Sequence, residues 1–213
     1  MRLTAIDASN IDVHVRLSAQ DECYFVYEYT SRKGYSFSAA NNLISNLKKK
    51  PSQAGAPGYH YKGRAITECA GLLRQAVNPA WLDEATLVPV PPSKAVDHPD
   101  YDRRMERIAR LIRPGLDVRN LVRQTTSTAA SHEVAPGQRA TVQDLLDVYE
   151  IDESIAAPPP VSIGIIDDVL TNGTHFKAMQ TILTARFPSV PITGIFIARR
   201  VFPDDENDVF QAL

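Results

Sequence analysis

The chain has 213 residues, a formal net charge of −2 at pH 7, 44% hydrophobic residues and 23% charged residues. This composition is that of a globular protein with one sizeable core, and it argues against general nucleic-acid binding, which favours a basic balance. Two cysteines, Cys23 and Cys69, are too few for a disulfide framework and form no CxxC pair for zinc. Without a signal-peptide pattern or a membrane-spanning run, the sequence predicts a cytoplasmic protein with no membrane partner.

The N-terminal part contains two segments with the composition of β-strands. Apolar residues alternate along Ile11–Leu17, and Cys23–Thr30 is rich in aromatic and β-branched residues. A helix is predicted at Ser38–Lys49, with Ser38 as its N-cap and lysines at the C-terminal end of the dipole. A second helix is predicted at Arg64–Val77, where apolar residues recur on one face.

The rest of the chain alternates strands and helices. The pattern predicts strands at Thr86–Val90, Val161–Ile166 and Ile192–Ala198, and helices at Asp102–Ile112 and Phe176–Phe187. A strand, a helix and a strand with short connections form a βαβ unit with parallel strands. We therefore expect an α/β fold with a parallel-sheet core and helices on both faces at residues 81–213. Residues 1–80 are expected to form an N-terminal β-rich hood or subdomain.

An acidic pair and a small polar loop follow the predicted strand at Val161–Ile166. The stretch Ile163–His175 reads IGIIDDVLTNGTH and leads directly into a helix. In open α/β sheets, ligands bind at the carboxyl ends of the strands, and a helix N-terminus favours an anion. Gly173 allows the backbone to turn tightly around a phosphate. Two carboxylates instead suit sugar hydroxyls, a Mg²⁺ shell or a developing positive charge. A ribose 5-phosphate offers both kinds of group.

This stretch resembles the phosphoribosyl pyrophosphate (PRPP) motif of type I phosphoribosyltransferases, in which two acidic residues separate a hydrophobic strand from a Thr/Gly-rich loop. The resemblance implies that Asp167 and Asp168 are catalytic, contact the ribose hydroxyls and interact with Mg²⁺ indirectly through PRPP. It assigns the 5′-phosphate to Thr171, Asn172, Gly173, Thr174 and His175. The family usually has threonine where Asn172 and His175 stand.

Further resemblance lies upstream. Leu87–Pro92, which reads LVPVPP, is similar to the strand and pyrophosphate loop of the branch that includes the competence protein ComF. This similarity implies that Pro92, Ser93 and Lys94 bind pyrophosphate. The N-terminal zinc-binding cysteines common in ComF are missing, so the chain resembles a divergent ComF-like relative.

The segment between the two motifs is expected to be a long flexible loop. Residues Arg123–Arg139 are rich in Ser, Thr and Ala and show little apolar periodicity, and long connections of this kind are often functional. In the phosphoribosyltransferase interpretation, this loop closes over the reacting centre and brings Arg123, His132 and Arg139 to it. Arg103 and Arg104, at the start of the next helix upstream, are instead expected to be surface charges.

The resemblance implies PRPP-dependent phosphoribosyl transfer to an unidentified nitrogen acceptor, a base or an amine, with release of pyrophosphate and with Mg²⁺ as cofactor. Acceptor specificity is expected to lie in residues 1–80. Two alternatives stay open: a non-catalytic PRPP- or nucleotide-binding regulator, and a subunit of a larger complex. A homodimer is a further possibility. An Asp-Asp pair after a strand also occurs as a capping or metal-site element in other α/β folds.

Overall fold

A five-stranded sheet forms the centre of the computed structural model, which describes residues 2–127 and 140–203. The strands are β1 (Thr4–Ala5), β2 (Glu22–Thr30), β3 (Ala85–Pro89), β4 (Val122–Gln124), β5 (Tyr149–Ile151), β6 (Ser162–Leu170) and β7 (Ile192–Val201). The helices are α1 (Ala39–Leu47), α2 (His60–Ala76), α3 (Pro79–Glu84), α4 (Arg104–Ile112), α5 (Val142–Leu146) and α6 (Thr174–Arg186). Strands β4 and β5 form a separate antiparallel pair.

The strand order in the main sheet is β1-β2-β7-β6-β3. Strands β2, β7, β6 and β3 are parallel, and only the two-residue β1 is antiparallel to its neighbour. The predicted α/β class and the parallel arrangement of the three predicted core strands are therefore confirmed. Because parallel strands end at one edge of a sheet, the segments that follow β2, β3, β6 and β7 meet there.

Helices cover both faces of this sheet. One hydrophobic cluster joins α1, α2 and α4 to residues such as Leu87 and Ile197, and a second joins α5 and α6 to residues such as Ile165 and Phe196. Strands buried on both faces read as nearly continuous apolar runs, which explains why β6 and β7 were recognisable in the sequence. Helix α6 begins as predicted near Phe176, and Ser38 caps α1 by accepting from the Asn41 backbone N–H at 3.0 Å.

The N-terminal residues contribute directly to the main sheet. Strand β2 pairs in parallel with β7 over its whole length, and Ile66 and Leu73 of α2 are fully buried beside the sheet. The expectation that residues 1–80 form a separate hood is therefore wrong for β2 and α2. The composition of β2 identifies a strand but does not specify its partner, because strand pairing between distant segments leaves no local pattern.

The predicted strand at Ile11–Leu17 is also wrong. This segment consists of successive turns, with backbone hydrogen bonds from His14 N to Ile11 O and from Leu17 N to His14 O, both 2.7 Å. His14 is the buried residue of this segment, whereas Ile11, Val13 and Leu17 are half-buried and Val15 is 73% exposed. The apolar alternation that favoured a strand therefore does not correspond to the buried face.

Candidate functional site

A cavity of about 560 Å³ opens at the edge of the sheet where the parallel strands end. Its walls come from the ends of β2, β3, β6 and β7 and from α1. It is lined by Asp167, Asp168, Thr171 and His175 on β6 and its loop, by Pro92, Ser93 and Lys94 after β3, and by Lys48 and Arg104. The structure thus brings the acidic pair together with parts of both predicted phosphate-binding loops.

The acidic pair lies within β6, which continues to Leu170 instead of ending at Ile166 as predicted. Asp167 is half-buried, whereas Asp168 is only 4% exposed. The Asp168 backbone N–H donates to Asp167 Oδ1 at 2.7 Å, which fixes the Asp167 carboxylate against the strand. The two neighbouring carboxylates therefore occupy different environments.

Two cations hold Asp168. Arg104 donates to Asp168 Oδ2 from Nε at 2.9 Å and from Nη2 at 2.6 Å, and Lys48 Nζ lies 3.1 Å from Oδ1. Burial raises the pKa of the Asp168 carboxyl, but Lys48 and Arg104 outweigh that effect and keep the pKa well below its ordinary value. Asp168 is therefore ionised throughout the physiological pH range.

The pKa of Asp167 is shifted in the opposite direction. Burial and the negative charge of Asp168 raise the pKa of Asp167 to about 7, although the Asp168 backbone N–H, Lys48 and Arg104 act against this rise. Near neutral pH, the pair consequently exchanges a single proton, which resides on Asp167. This asymmetry makes Asp167 the member of the pair that can accept or release a proton at the cavity surface.

The position of Arg104 corrects the expectation that it is a surface charge. Arg104 lies at the start of α4, and three of its guanidinium nitrogens donate to carboxylates, Nη1 to Asp102 and the other two to Asp168. Arg103, by contrast, is largely exposed and pairs with Glu106. Adjacent arginines look equivalent in the sequence, and only the distant Asp168 distinguishes them.

The loop predicted to bind the 5′-phosphate contains a left-handed glycine and an internal cap. Gly173 has a φ of +91°, a conformation that glycine adopts without steric cost. Asn172 Oδ1 accepts from the Thr174 backbone N–H at 3.2 Å and from Thr174 Oγ1 at 2.9 Å. Asn172 therefore satisfies donors at the N-terminus of α6 that a bound anion could otherwise use.

His175 lies between this loop and the β4–β5 pair. Its Nδ1 is 3.0 Å from the hydroxyl of Tyr149 on β5, and both Thr171 and His175 line the cavity. Burial, together with the positive charges of Lys48 and Arg104, lowers the pKa of His175 to about 4, although the negative charge of Asp168 opposes this shift. His175 is therefore neutral at pH 7 and can act as a hydrogen-bond partner but not as a cation.

The turns at residues 11–17 pack against the outside of the loop. Arg16 N donates to Asn172 O at 2.9 Å, and the His14 ring contacts Thr171 O through Nδ1. A Cβ atom at Gly173 would lie 2.9 Å from Leu17 Cδ2. The N-terminal turns therefore fix the loop backbone, a role that the sequence pattern gave no means to detect.

The predicted pyrophosphate loop lines the cavity, whereas Arg123 of the predicted flexible loop does not. Pro92, Ser93 and Lys94 line the cavity, and Gln124 Nε2 donates to Ser93 O at 2.8 Å. Arg123 lies on β4, is 52% exposed and pairs with Glu150 and Asp152. It lines a neighbouring cavity of about 210 Å³, which shares Pro92 and Lys94 with the first cavity. The structure therefore does not bring Arg123 to the acidic pair. His132 and Arg139 lie outside the described residues.

No family model matches the chain, and no curated protein matches it. Within residues 2–127 and 140–203, no helix combines the length and apolar character needed to cross a membrane. The same residues contain no group of three or more His, Cys, Asp or Glu side chains arranged to hold a metal. The function must therefore be inferred from the chemistry of the cavity.

Proposed function

We propose that the cavity binds PRPP and that the protein transfers its phosphoribosyl group to a nitrogen acceptor, with release of pyrophosphate. The observation that carries this proposal is the joint lining of one cavity by the acidic pair, by Thr171 and His175, and by Pro92–Lys94. A volume of about 560 Å³ is within the range of small-molecule sites.

The charge of the cavity supports an anionic ligand. Its cationic lining residues are Lys33, Lys48, Lys50, Lys94, Arg104 and Arg200, and its acidic lining residues are Asp100, Asp102, Asp167 and Asp168. Because Asp167 is partly protonated near pH 7, the net charge of the lining residues is still more positive. Such a site suits a ligand with several phosphate charges, which can displace part of the carboxylate contacts of Lys48 and Arg104.

In the proposed reaction, the acceptor nitrogen forms a bond to the anomeric carbon of the ribose. The bond from that carbon to the pyrophosphate oxygen breaks, and pyrophosphate leaves with the bonding electrons. Positive charge develops on the ribose ring, and the permanent charge of Asp168 is placed to stabilise it. Asp167, with a pKa of about 7, can take the proton that the acceptor nitrogen loses.

The carboxylates suit an indirect contact with Mg²⁺. Both oxygens of Asp168 already accept from Arg104 or Lys48, and Oδ1 of Asp167 accepts from a backbone N–H. Few protein oxygens are left for the six ligands that Mg²⁺ prefers, which fits an ion held mainly by phosphate oxygens and water. When bound, Mg²⁺ would neutralise the charge of the pyrophosphate leaving group.

The acceptor would bind on the wall formed by the segment between β2 and α1. Tyr29, Ser31, Lys33 and Tyr35 line this wall, and Tyr29 lies opposite Arg200 in the sheet register. Asn41 secures the segment, because its Nδ2 donates to Thr30 O at 2.9 Å and to Lys33 O at 3.1 Å. Strand β7 separates β2 from β6, so this wall is about 10 Å from the acidic pair.

A second candidate function is PRPP or nucleotide sensing without transfer. The supporting observation is that Asn172 Oδ1 already accepts from the Thr174 backbone N–H at the start of α6 and that His175 is neutral. Both features weaken the loop as a phosphate clamp, and a regulator needs affinity but no transition-state stabilisation.

The two functions are distinguished by turnover. The experiment incubates the full chain with PRPP, Mg²⁺ and a panel of purines, pyrimidines and amines, and measures pyrophosphate release. Acceptor-dependent release supports the transferase. Saturable PRPP binding without release for any acceptor supports the sensor.

A further inference from the structure

Lys62 on α2 is a buried cation with every donor engaged. Its side chain is 3% exposed, and Nζ donates to Leu47 O at 2.6 Å, to Lys49 O at 2.7 Å and to Asp102 Oδ2 at 2.7 Å. Burying an ammonium group is costly unless it is paired and hydrogen-bonded. The three contacts meet that requirement, and they reach two separate parts of the candidate site.

The first part is the C-terminal end of α1. Carbonyls in the last turn of a helix have no partner within the helix, and Lys62 supplies one for Leu47 and for Lys49. These two carbonyls flank Lys48 in the chain. Lys62 therefore fixes the backbone on both sides of the residue whose Nζ lies 3.1 Å from Asp168 Oδ1.

The second part is the start of α4. Asp102 Oδ2 accepts from Lys62 and also from Arg104 Nη1 at 2.9 Å, while Asp102 Oδ1 accepts from the Arg104 backbone N–H at 3.2 Å. With Nη1 held by Asp102, the Nε and Nη2 edge of Arg104 is directed at Asp168. Lys62 thus anchors the carboxylate that orients Arg104.

We propose that Lys62 is the positioning residue that sets both cations of the acidic pair, Lys48 through α1 and Arg104 through Asp102. The part of this proposal that concerns a ligand depends on the proposed PRPP function: the same two cations would receive the substrate's phosphate charge. Lys62 itself acts from behind the cavity wall and touches neither the ligand nor the carboxylate pair.

A stabilising role in the core does not account for this arrangement. Lys62 shares α2 with the buried residues Ile66, Cys69 and Leu73, where an apolar side chain would also be compatible with burial. Replacing a whole buried ion pair by well-packed apolar residues is often neutral or stabilising, whereas removing Lys62 alone would leave Asp102 with Arg104 and would cost stability. The specific consequence of a lysine at this position is the placement of Lys48 and Arg104.

The test compares Lys62→Met with the wild-type full chain by two measurements. Proton exchange of the Arg104 Nε–H group, followed by ¹⁵N NMR, is expected to be slow in the wild type and faster in the variant, without any ligand. PRPP affinity, measured by calorimetry, is expected to fall roughly tenfold to a hundredfold, because misplaced contacts of about an ångström have effects of this size.

Lys177→Met is the matched control. Lys177 on α6 also pairs with a buried aspartate, at 2.8 Å from Asp21, but it is not among the residues lining the cavity. It is expected to change neither Arg104 exchange nor PRPP affinity. In an Arg104→Met background, the effect of Lys62→Met on PRPP affinity is expected to be smaller, because Lys62 can then position only Lys48.

If folded Lys62→Met keeps the wild-type Arg104 exchange and PRPP affinity, the positioning proposal is overturned while PRPP binding stands. If the wild type fails to bind PRPP, the proposed function is lost, and Arg104 exchange still decides the role of Lys62. If Lys62→Met does not fold, Asp102→Asn is used instead, because it removes the carboxylate that connects Lys62 to Arg104. Unchanged Arg104 exchange in Asp102→Asn would then overturn the proposal.

Discussion

At the scale of single residues, the acidic pair illustrates how environment separates two identical side chains. Asp168 faces Arg104 and Lys48 and stays ionised, whereas burial and the negative charge of Asp168 raise the pKa of Asp167 to about 7. The sequence predicted the pair directly after a strand, whereas the structure has both residues within β6. The sequence could not assign different roles to the members of the pair, because the cations come from α1 and α4, far away in the chain.

Asp167→Asn is expected to make stability less dependent on pH. The pKa of Asp167 is about 7 in the folded protein against an ordinary value of 3.8, so between these pH values the folded state holds a proton that the unfolded state has lost. Wild-type stability therefore falls as pH rises through this window, and asparagine removes that contribution. Urea unfolding at pH 4 to 8 should show that the unfolding free energy of the variant increases relative to that of the wild type as pH rises. Asp12→Asn, at an exposed position, is the control. Parallel pH curves for Asp167→Asn and wild type would refute the raised pKa.

Asp168→Asn is expected to reduce turnover on the order of a hundredfold, since an amide keeps one hydrogen-bond acceptor but loses the charge that stabilises the ribose cation. PRPP affinity should change far less. The variant should also lose roughly 3 kcal/mol of unfolding free energy, because Arg104 and Lys48 lose a buried partner. Steady-state kinetics and calorimetry on the same preparation make the comparison. Equal losses in rate and affinity would reduce Asp168 to a ribose anchor.

At the scale of elements, the β6–α6 loop depends on one backbone conformation. Gly173→Val is expected to abolish PRPP binding while the fold is retained, because a β-branched residue at a φ of +91° is strained and its Cβ would meet Leu17. The strain is expected to lower the unfolding free energy by about 1–3 kcal/mol. Calorimetry gives the affinity, and circular dichroism checks the fold.

Gly55→Val is the control for this prediction. An added Cβ at Gly55 meets no atom within 4 Å, and Gly55 is exposed and is not among the residues that line the cavity. This variant should bind PRPP like the wild type. Wild-type affinity in folded Gly173→Val would show that the loop is not the phosphate site.

Strands and helices with a clear local apolar pattern were predictable from the sequence. Segments whose conformation depends on contacts with residues far away in the chain were not. Strands β6 and β7 and helix α6 have apolar patterns that their local structure requires, and their parallel pairing follows from the short connections. Ile11–Leu17 contains an equally clear alternation, yet it forms turns because His14 and Leu17 pack on the β6–α6 loop. Local periodicity does not record such a contact.

At the scale of the whole molecule, the N-terminal part completes the sheet and supplies one wall of the cavity. Strand β2 covers β7 along its whole length, and Lys48 and Lys62 come from α1 and α2. The sequence also did not identify the cations of the site, because charged residues on helices are usually solvated. Only the assembled fold places them beside a buried carboxylate.

A fragment of residues 81–213 is therefore expected not to fold cooperatively. Removing β2 would expose the edge of β7, and removing α2 would uncover the sheet face where Ile66 and Leu73 pack. Thermal unfolding followed by circular dichroism should show a broad, low-temperature transition for the fragment and a sharp one for the full chain. A sharp transition in the fragment would restore the division near residue 80.

We propose that one cavity binds PRPP between the acidic pair and the two loops. Isothermal titration of the full chain with PRPP and Mg²⁺ tests it most directly, with inorganic pyrophosphate and ribose 5-phosphate titrated separately. We expect saturable binding of one PRPP per chain, weaker binding of pyrophosphate and of ribose 5-phosphate, and loss of PRPP binding in Gly173→Val but not in Gly55→Val. A folded wild-type chain that gives no binding with PRPP, or binding that Gly173→Val leaves intact, would contradict it.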